Sequence, residues 1–309
     1  MLKSTAKGLL AEMEVQKLHK NEVCIDARLV KSLLESQFEQ WSQQPLSFVP
    51  HCGTCNVIYR IGDDLCVRLP RQPRDALCLE KELEWLPVLS SHLSLEVPRP
   101  IARGVPGSGY PFVWAVYKWL EGESFDAQEF GSRTSTAETL AKFVTELQMI
   151  DTTHAPKSDR DAALDANDST VYQAIESLDK DFDRDTVRFA WDASVQVPSW
   201  EGDDVWIHCD LLPTNILVKD NQLIAVIDFG LVGVGDPAVD IIPAWSTLRG
   251  KASQTFRSAL KIDDVIWARA RGLALRQALR IIPYYRASHP NFSALACRTV
   301  KEVLIHFAG

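Results

Sequence analysis

No apolar run in the chain is long enough to cross a bilayer, so a membrane-spanning helix is not expected. Nor do Met1 to Lys20 hold the continuous apolar stretch and small-residue cleavage site of an export signal, and a cytoplasmic protein is expected. Positive charge is not in excess: 33 Lys and Arg stand against 41 Asp and Glu, a formal net charge of −8. That balance argues against a surface built to grip nucleic acid. Internal repeats and low-complexity tracts are missing as well. The seven cysteines are odd in number and scattered, so reduced thiols are expected rather than a disulfide framework. One C-x-x-C occurs, Cys52-Gly53-Thr54-Cys55, with His51 beside it and Cys66 nearby. No second pair completes a four-ligand zinc set, and free loop cysteines are the expectation. The 309 residues, 46% apolar and 24% charged, suffice for two lobes with a cleft between them.

What is present is concentrated in one stretch. Trp206-Ile207-His208-Cys209-Asp210-Leu211-Leu212-Pro213-Thr214-Asn215 is followed by Val226-Ile227-Asp228-Phe229-Gly230. An Asp, an Asn shortly after it, and an Asp-Phe-Gly closing an apolar run are the parts of a phosphoryl-transfer site. Asp210 can accept the proton of an attacking hydroxyl. Asn215 and Asp228 can hold Mg²⁺, which keeps some of its waters and uses few protein carboxylates. A lone Asp-Phe-Gly is a common turn and means little. The combination is much harder to reach by accident, because Ile216-Leu217-Val218, the polar Lys219-Asp220-Asn221-Gln222 and Leu223 to Ile227 read as a β-hairpin. Its turn, Asp220-Asn221, would return the chain and bring Asp228 close to Asn215.

Hydrophobic periodicity divides the rest. Asp26 to Trp41 reads as a helix with Asp26 as N-cap. Val57 to Ile61 and Leu65 to Leu69 flank Gly62-Asp63-Asp64, a hairpin signal. Leu77 to Leu89 is a second helix, Val97-Pro98-Arg99-Pro100 is extended, and Phe112 to Leu120 is a buried strand. After Gly122 the character turns helical: Thr136 to Ile150, an interrupted helix from Tyr172 to Trp191, Asp263 to Tyr285, and Asn291 to Phe307. The expected fold is α+β: a nucleotide-binding lobe with a leading helix over residues 1–120, and a helical lobe carrying the catalytic hairpin over residues 121–309. Asp151 to Asp204 is rich in acid, and the tail after Trp245 is rich in base.

The nucleotide side is less explicit, because no G-x-G-x-x-G is present. Val49 to Asn56 is the one candidate loop, in which Gly53 and Thr54 would offer backbone N–H groups to phosphate. An ordinary strand connection is the competing reading. Arg68 lies on the strand where a protein kinase would place a Lys on the α- and β-phosphates, and can touch them bidentately, with a Glu of the next helix as partner. Glu80, Glu82 and Glu84 are candidates and Glu82 is preferred. Adenine would be read by backbone groups near Trp119 and Leu120. Asp236 is expected to cap the next helix with Pro237 at its first position, and Asp240 to brace the catalytic loop. A neutral His208 bonded to backbone is expected.

With these residues in view, the chain resembles the aminoglycoside phosphotransferase superfamily of kinase-like enzymes, which also includes macrolide phosphotransferases and metabolite kinases. His208 to Asn215 is similar to its catalytic loop. Val226 to Gly230 and Gly235-Asp236-Pro237-Ala238-Val239-Asp240 are similar to its metal-binding and bracing segments. Tyr59 to Asp64, Val67 to Arg71, Glu84 to Pro87, Gly109-Tyr110-Pro111 and Tyr117 to Glu123 extend the likeness over nearly the whole chain. The resemblance implies a protein-kinase-like two-lobe fold and transfer of phosphate from ATP or GTP, with Mg²⁺, to a hydroxyl of a small molecule, an aminoglycoside-type antibiotic among them. Cys209 stands where the family commonly has Gly, and Cys55 where one branch has Asp. Cys209, next to the base, is expected to make the enzyme sensitive to oxidants or thiol reagents.

Alternatives remain open from sequence. The acid-rich stretch suits a cationic acceptor pocket, with a solvated face the slightly preferred reading. A macrolide or ordinary metabolite could be the acceptor. Arg68 in place of a Lys allows a nucleotide-binding protein without turnover. A protein kinase is disfavoured, since Asp228 is followed almost at once by Gly235-Asp236-Pro237 and no Ala-Pro-Glu segment is recognisable.

Overall fold

The computed structural model describes residues 22–50, 54–160, 163–305 and 307. Gly53, with His51 and Cys52, lies outside them. The chain opens with α1 (Ala27–Gln37), whose first turn is closed by the Asp26 side chain on the Leu29 N–H. The expected helix to Trp41 is shorter, because the backbone leaves helical geometry at Phe38 and makes a separate 3₁₀ turn, Glu39–Trp41. Strands β1 (Leu46–Phe48), β2 (Asn56–Ile61) and β3 (Leu65–Pro70) follow, then α2 (Pro73–Leu89), β4 (Pro100–Gly104) and β5 (Trp114–Lys118). Pro73 opens α2 four residues before Leu77, using a position that needs no N–H donor. The five strands pair antiparallel in the order β1-β2-β3-β5-β4.

Strand alternation gives this sheet two different faces. Val57, Tyr59, Val67, Leu69, Trp114 and Val116 pack with Val30, Leu33 and Leu34 of α1 into one core. Cys66, Ala115 and Tyr117 point the other way and join Leu79, Leu86 and Leu89 of α2 in the main core, which continues into the helical part. Arg68, flanked by Val67 and Leu69, therefore faces α2.

Beyond the Trp119 to Gly122 crossing come β6 (Glu123–Ser124), α3 (Thr134–Gln148), α4 (Ser169–Glu176), α5 (Arg184–Ser194), β7 (Val205–Ile207), β8 (Ile216–Lys219), β9 (Gln222–Val226), β10 (Gly233–Gly235), α6 (Pro243–Ser246), α7 (Lys251–Leu260), α8 (Asp264–Tyr285) and α9 (Pro290–Ile305). The interrupted helix expected over Tyr172 to Trp191 is two helices, α4 and α5, each with its own aspartate N-cap, Asp168 and Asp183. β8 and β9 form a sheet with β6, and β7 pairs with β10. No described helix is long and apolar enough to cross a membrane.

Candidate active site

The β8–β9 hairpin positions the central carboxylates. Asp220 and Asn221 have φ of +50° and +64°, which is the two-residue type I′ turn that matches strand twist. At the open end the Ile227 N–H donates to the Asn215 carbonyl at 2.9 Å, which brings Asp228 beside Asn215. Asn215 also turns its amide nitrogen onto Asp210, donating to the backbone carbonyl at 2.9 Å and to Oδ2 at 2.8 Å. Its amide oxygen is thereby directed away from Asp210. Burial pushes the Asp210 carboxyl up and the nearby Asp228 carboxylate adds to this, while Arg160 and Asn215 pull it back.

The loop bearing Asp210 is held from beneath. Fully buried Asp240 accepts the N–H groups of His208 and Cys209 at 2.6 and 2.9 Å. Burial pushes its carboxyl up to about 7, against those two donors. His208 lies between backbone groups: the Asp210 N–H donates to Nδ1 at 3.2 Å and Nε2 faces the Ile227 carbonyl at 3.2 Å. Burial holds its imidazole down to about 4, so it is neutral at pH 7 with the proton on Nε2. Asp236 accepts the Ala238 N–H at the start of a 3₁₀ turn, Pro237–Ile241, and forms a buried bidentate pair with Arg269 at 2.6 and 3.0 Å.

Glu82 joins the two halves of the site. It sits on the buried stripe of α2 with Leu79 and Leu86, whereas Glu80 faces outward to Arg103 at 3.5 Å. Its Oε1 accepts from Arg68 Nη1 at 2.5 Å and from the Tyr117 hydroxyl at 2.7 Å, and its Oε2 accepts the Phe229 N–H at 2.9 Å. Three donors on one buried carboxyl specify the carboxylate form, although burial itself pushes Glu82 up. Burial would depress Arg68, but the Glu82 charge holds it above its usual range. Arg68 also stacks on the Tyr117 ring, 5.1 Å from its centroid, and reaches Asp228 Oδ1 at 3.4 Å. Gly230 permits this approach: a Cβ there would lie 3.0 Å from Cys78 Cβ of α2.

Asp228 and Cys209 are non-glycine residues in left-handed conformation, φ +68° and +73°. Such conformations cluster at functional sites. The second explains why glycine suits the Cys209 position. Cys209 itself is 3% exposed, and burial pushes its thiol up to about 12. A buried, protonated thiol is a poor target, so the expected reagent sensitivity loses its premise.

The nucleotide-side residues are placed unevenly. Thr54 lies between β1 and β2, next to residues that are not described, and is hydrogen-bonded to the phenol of Tyr285 at the end of α8. Trp119 donates its backbone N–H to the Asp64 carbonyl at 2.7 Å and carries the Arg60 guanidinium 4.9 Å above its ring. Leu120 is half-buried beside it. Among the described residues no group of His, Cys, Asp and Glu could hold a metal by itself.

The sequence model of the phosphotransferase enzyme family matches residues 53–273. The chain belongs to this family. It is a small-molecule phosphotransferase with a kinase-like α+β fold. No curated protein matches the sequence significantly. Among solved structures, the phosphotransferase is similar to the GDP and kanamycin complex of APH(2″)-IIIa, with 18% identity, a TM-score of 0.72, and 90% of this chain and 98% of that one covered. It is also similar to macrolide 2′-phosphotransferase MphH from Brachybacterium faecium, with 19% identity, a TM-score of 0.58, and 87% and 98% covered.

In the phosphotransferase, several carboxylates of the acid-rich stretch form ion pairs. Asp168 pairs with Arg280 at 2.5 Å, Asp179 with Arg286 at 3.4 Å, Asp159 with Lys81 at 2.9 Å, and Asp204 with Lys157. Sequence reasoning missed three residues that touch the site: Tyr117, Tyr285 and Arg160. Arg160 Nη2 donates to Asp210 Oδ1 at 3.0 Å from a loop fifty positions upstream. No local pattern marks it.

Proposed function

We propose that this phosphotransferase moves the γ-phosphate of ATP or GTP onto a hydroxyl of a small molecule, with Asp210 as general base. The observation that carries the reading is the convergence of Asp210, Asn215, Asp228, Arg68 and Glu82 from β3, α2, the loop after β7 and the β8–β9 hairpin. The acceptor hydroxyl gives its proton to Asp210, its oxygen attacks the γ-phosphorus, and the bond to the bridging oxygen breaks. Arg68, fixed by Glu82, contacts the donor phosphates. Backbone groups at Thr54 would face them, and backbone groups at Trp119 and Leu120 would take the base. The Trp119 N–H is already bonded, so its carbonyl and Leu120 serve there.

The donor set fits Mg²⁺. The Asn215 amide oxygen faces away from Asp210, and the Asp228 side chain is 29% exposed. Two protein oxygens suffice for an ion that keeps its waters and shares phosphate oxygens. Bound there, Mg²⁺ would neutralise phosphate charge.

Aminoglycosides head the acceptor candidates, because neighbours of this fold were solved with kanamycin and gentamicin. Phosphorylating such an antibiotic would confer resistance. Macrolides and hydroxylated metabolites follow, since a macrolide 2′-phosphotransferase shares the fold. The test is Mg²⁺-dependent transfer from ATP and GTP to a panel of these acceptors, with Asp210→Ala as control. Transfer that vanishes in the control is expected. Nucleotide binding without transfer to any acceptor would favour a protein that binds nucleotide without turnover, the reading that Arg68 in place of Lys motivates.

A further inference from the structure

The catalytic loop supplies no cation of its own: between Asp210 and Asn215 stand Leu211, Leu212, Pro213 and Thr214. Arg68 is engaged with Glu82 and Asp228 on the donor side. The cation beside the base comes from elsewhere. Residues 156–158 dock beside β10 through one parallel bridge, Lys157 opposite Val234, and the chain bends on to Arg160: the Val234 N–H donates to the Pro156 carbonyl at 2.8 Å and the Ser158 N–H to the Val234 carbonyl at 3.0 Å. β10 pairs with β7, which leads directly into the catalytic loop. Each residue of this strap is tied to a different part of the site. Lys157 pairs with Asp204, and Ser158 Oγ lies 3.1 Å from Cys209 Sγ. Asp159 pairs with Lys81 on α2, the helix that carries Glu82, and Arg160 reaches Asp210. Ser158 Oγ also accepts the Arg160 N–H at 3.0 Å, which fixes where the arginine leaves the strap. Gly233 makes the approach possible, because a Cβ there would lie 2.8 Å from the Ser158 backbone.

We propose that Arg160 is a catalytic residue of phosphoryl transfer, a guanidinium held by the 156–160 strap beside Asp210 so that it meets the phosphoryl group as it passes to the acceptor. This rests on the phosphotransfer reading with Asp210 as base. A base must lie within about 3 Å of the hydroxyl whose proton it takes. A guanidinium 3.0 Å from that base is thus one side chain's breadth from the transferring phosphorus. Among the described residues its one ion-pair partner is Asp210, through Nη2, and its side chain is 34% exposed. N–H donors of Nη1 and Nη2 remain for phosphoryl oxygens. The proton still goes to Asp210 and the electron pair of the breaking bond to the nucleoside diphosphate. Arg160 keeps its proton throughout and neutralises charge spread over the equatorial oxygens, as an arginine supplied in cis does in other phosphoryl transfers.

The test uses the full chain with Mg²⁺ and ATP or GTP, water and the acceptor panel serving as acceptors. Arg160→Ala is expected to lower kcat by about 10²- to 10³-fold with KM for nucleotide near its wild-type value. Guanidinium ion added to this variant should restore part of the rate, and methylammonium should not. Arg160→Lys should fall between. Gly233→Ala, which touches neither Asp210 nor nucleotide, should slow turnover by displacing the strap. Wild-type kcat in Arg160→Ala overturns the proposal, as does a slow variant with raised nucleotide KM that neither guanidinium nor lysine rescues. If turnover is absent, or survives Asp210→Ala, the phosphotransfer reading falls instead.

Discussion

Glu82 is the residue through which the donor and metal sides of the site are joined. Its carboxylate holds Arg68, Tyr117 and the backbone of Phe229 at once. Truncating it leaves a buried guanidinium with only the longer contact to Asp228, and Glu82→Ala should cost about 3–5 kcal/mol of stability, read from the urea unfolding midpoint. Asp210 has a different role, since its loss removes chemistry rather than support. Asp210→Ala should lower turnover by roughly 10²- to 10⁴-fold while nucleotide binding persists. Asp228→Ala should weaken Mg-nucleotide binding as well. Nucleotide titrations beside steady-state kinetics separate the two, and an Asp210→Ala variant at near-normal rate would remove the base assignment. The thiols divide by burial. In the native protein a thiol reagent should label exposed Cys24 and leave Cys209 untouched, which peptide mapping would read directly.

At the scale of elements, the β8–β9 hairpin is the component whose geometry matters most, because both candidate metal ligands sit at its open end. Its turn needs two left-handed residues, and Asp220 and Asn221 tolerate that conformation better than most. Asn221→Gly should be neutral or mildly stabilising. Asn221→Val, with a β-branched side chain at φ +64°, should cost about 1–2 kcal/mol and weaken Mg-nucleotide binding together with it. Thermal melts with and without Mg-nucleotide would show both effects. The catalytic loop depends on a second support, the Asp240 carboxylate under His208 and Cys209. Asp236 and its Arg269 partner anchor the turn that presents it.

For the whole molecule, burial of polar groups at the junction sets a pH response. His208 is held down to about 4, from an ordinary value of 6.5. Above pH 6.5 neither the native nor the unfolded chain protonates this imidazole, and stability is undiminished. As pH falls from 6.5 toward 4 the unfolded chain takes up a proton that the native state refuses, and on the order of 3 kcal/mol is lost. Asp240 works in the opposite sense: with a native value near 7, the stability it withholds at neutral pH returns as pH falls. The difference between wild type and His208→Gln, followed as urea midpoint against pH, isolates the histidine. A parallel dependence in both would remove this account. Complementary charge also spans the helical part, where the acid-rich middle of the chain meets its base-rich tail through Asp168–Arg280 and Asp179–Arg286.

What could be read from the amino-acid sequence was what neighbouring residues decide among themselves. The hairpin and its turn, the Asp26 cap, the sheet-forming runs around Gly62 and the position of Glu82 on an apolar stripe all follow from alternation, helical period and the φ that particular residues accept. The spacing of Asp210, Asn215 and Asp228 was legible for the same reason, since the loop after β7 runs straight into the short hairpin that carries Asn215 and Asp228 at its open end. The limits of elements were less so: α1 ends at Phe38, Pro73 opens α2 ahead of its apolar stripe, and the Asp183 cap starts α5 apart from α4. The remaining parts of the site required the tertiary structure. Tyr117 meets Glu82 because β3 and β5 are adjacent although not consecutive. Tyr285 meets Thr54 because α8 ends against the β1–β2 loop. Arg160 meets Asp210 because a strap with no pattern of its own docks on β10 where Gly233 leaves room. Contacts between residues so distant in sequence are fixed only when separate elements pack against one another, and no local spacing encodes them.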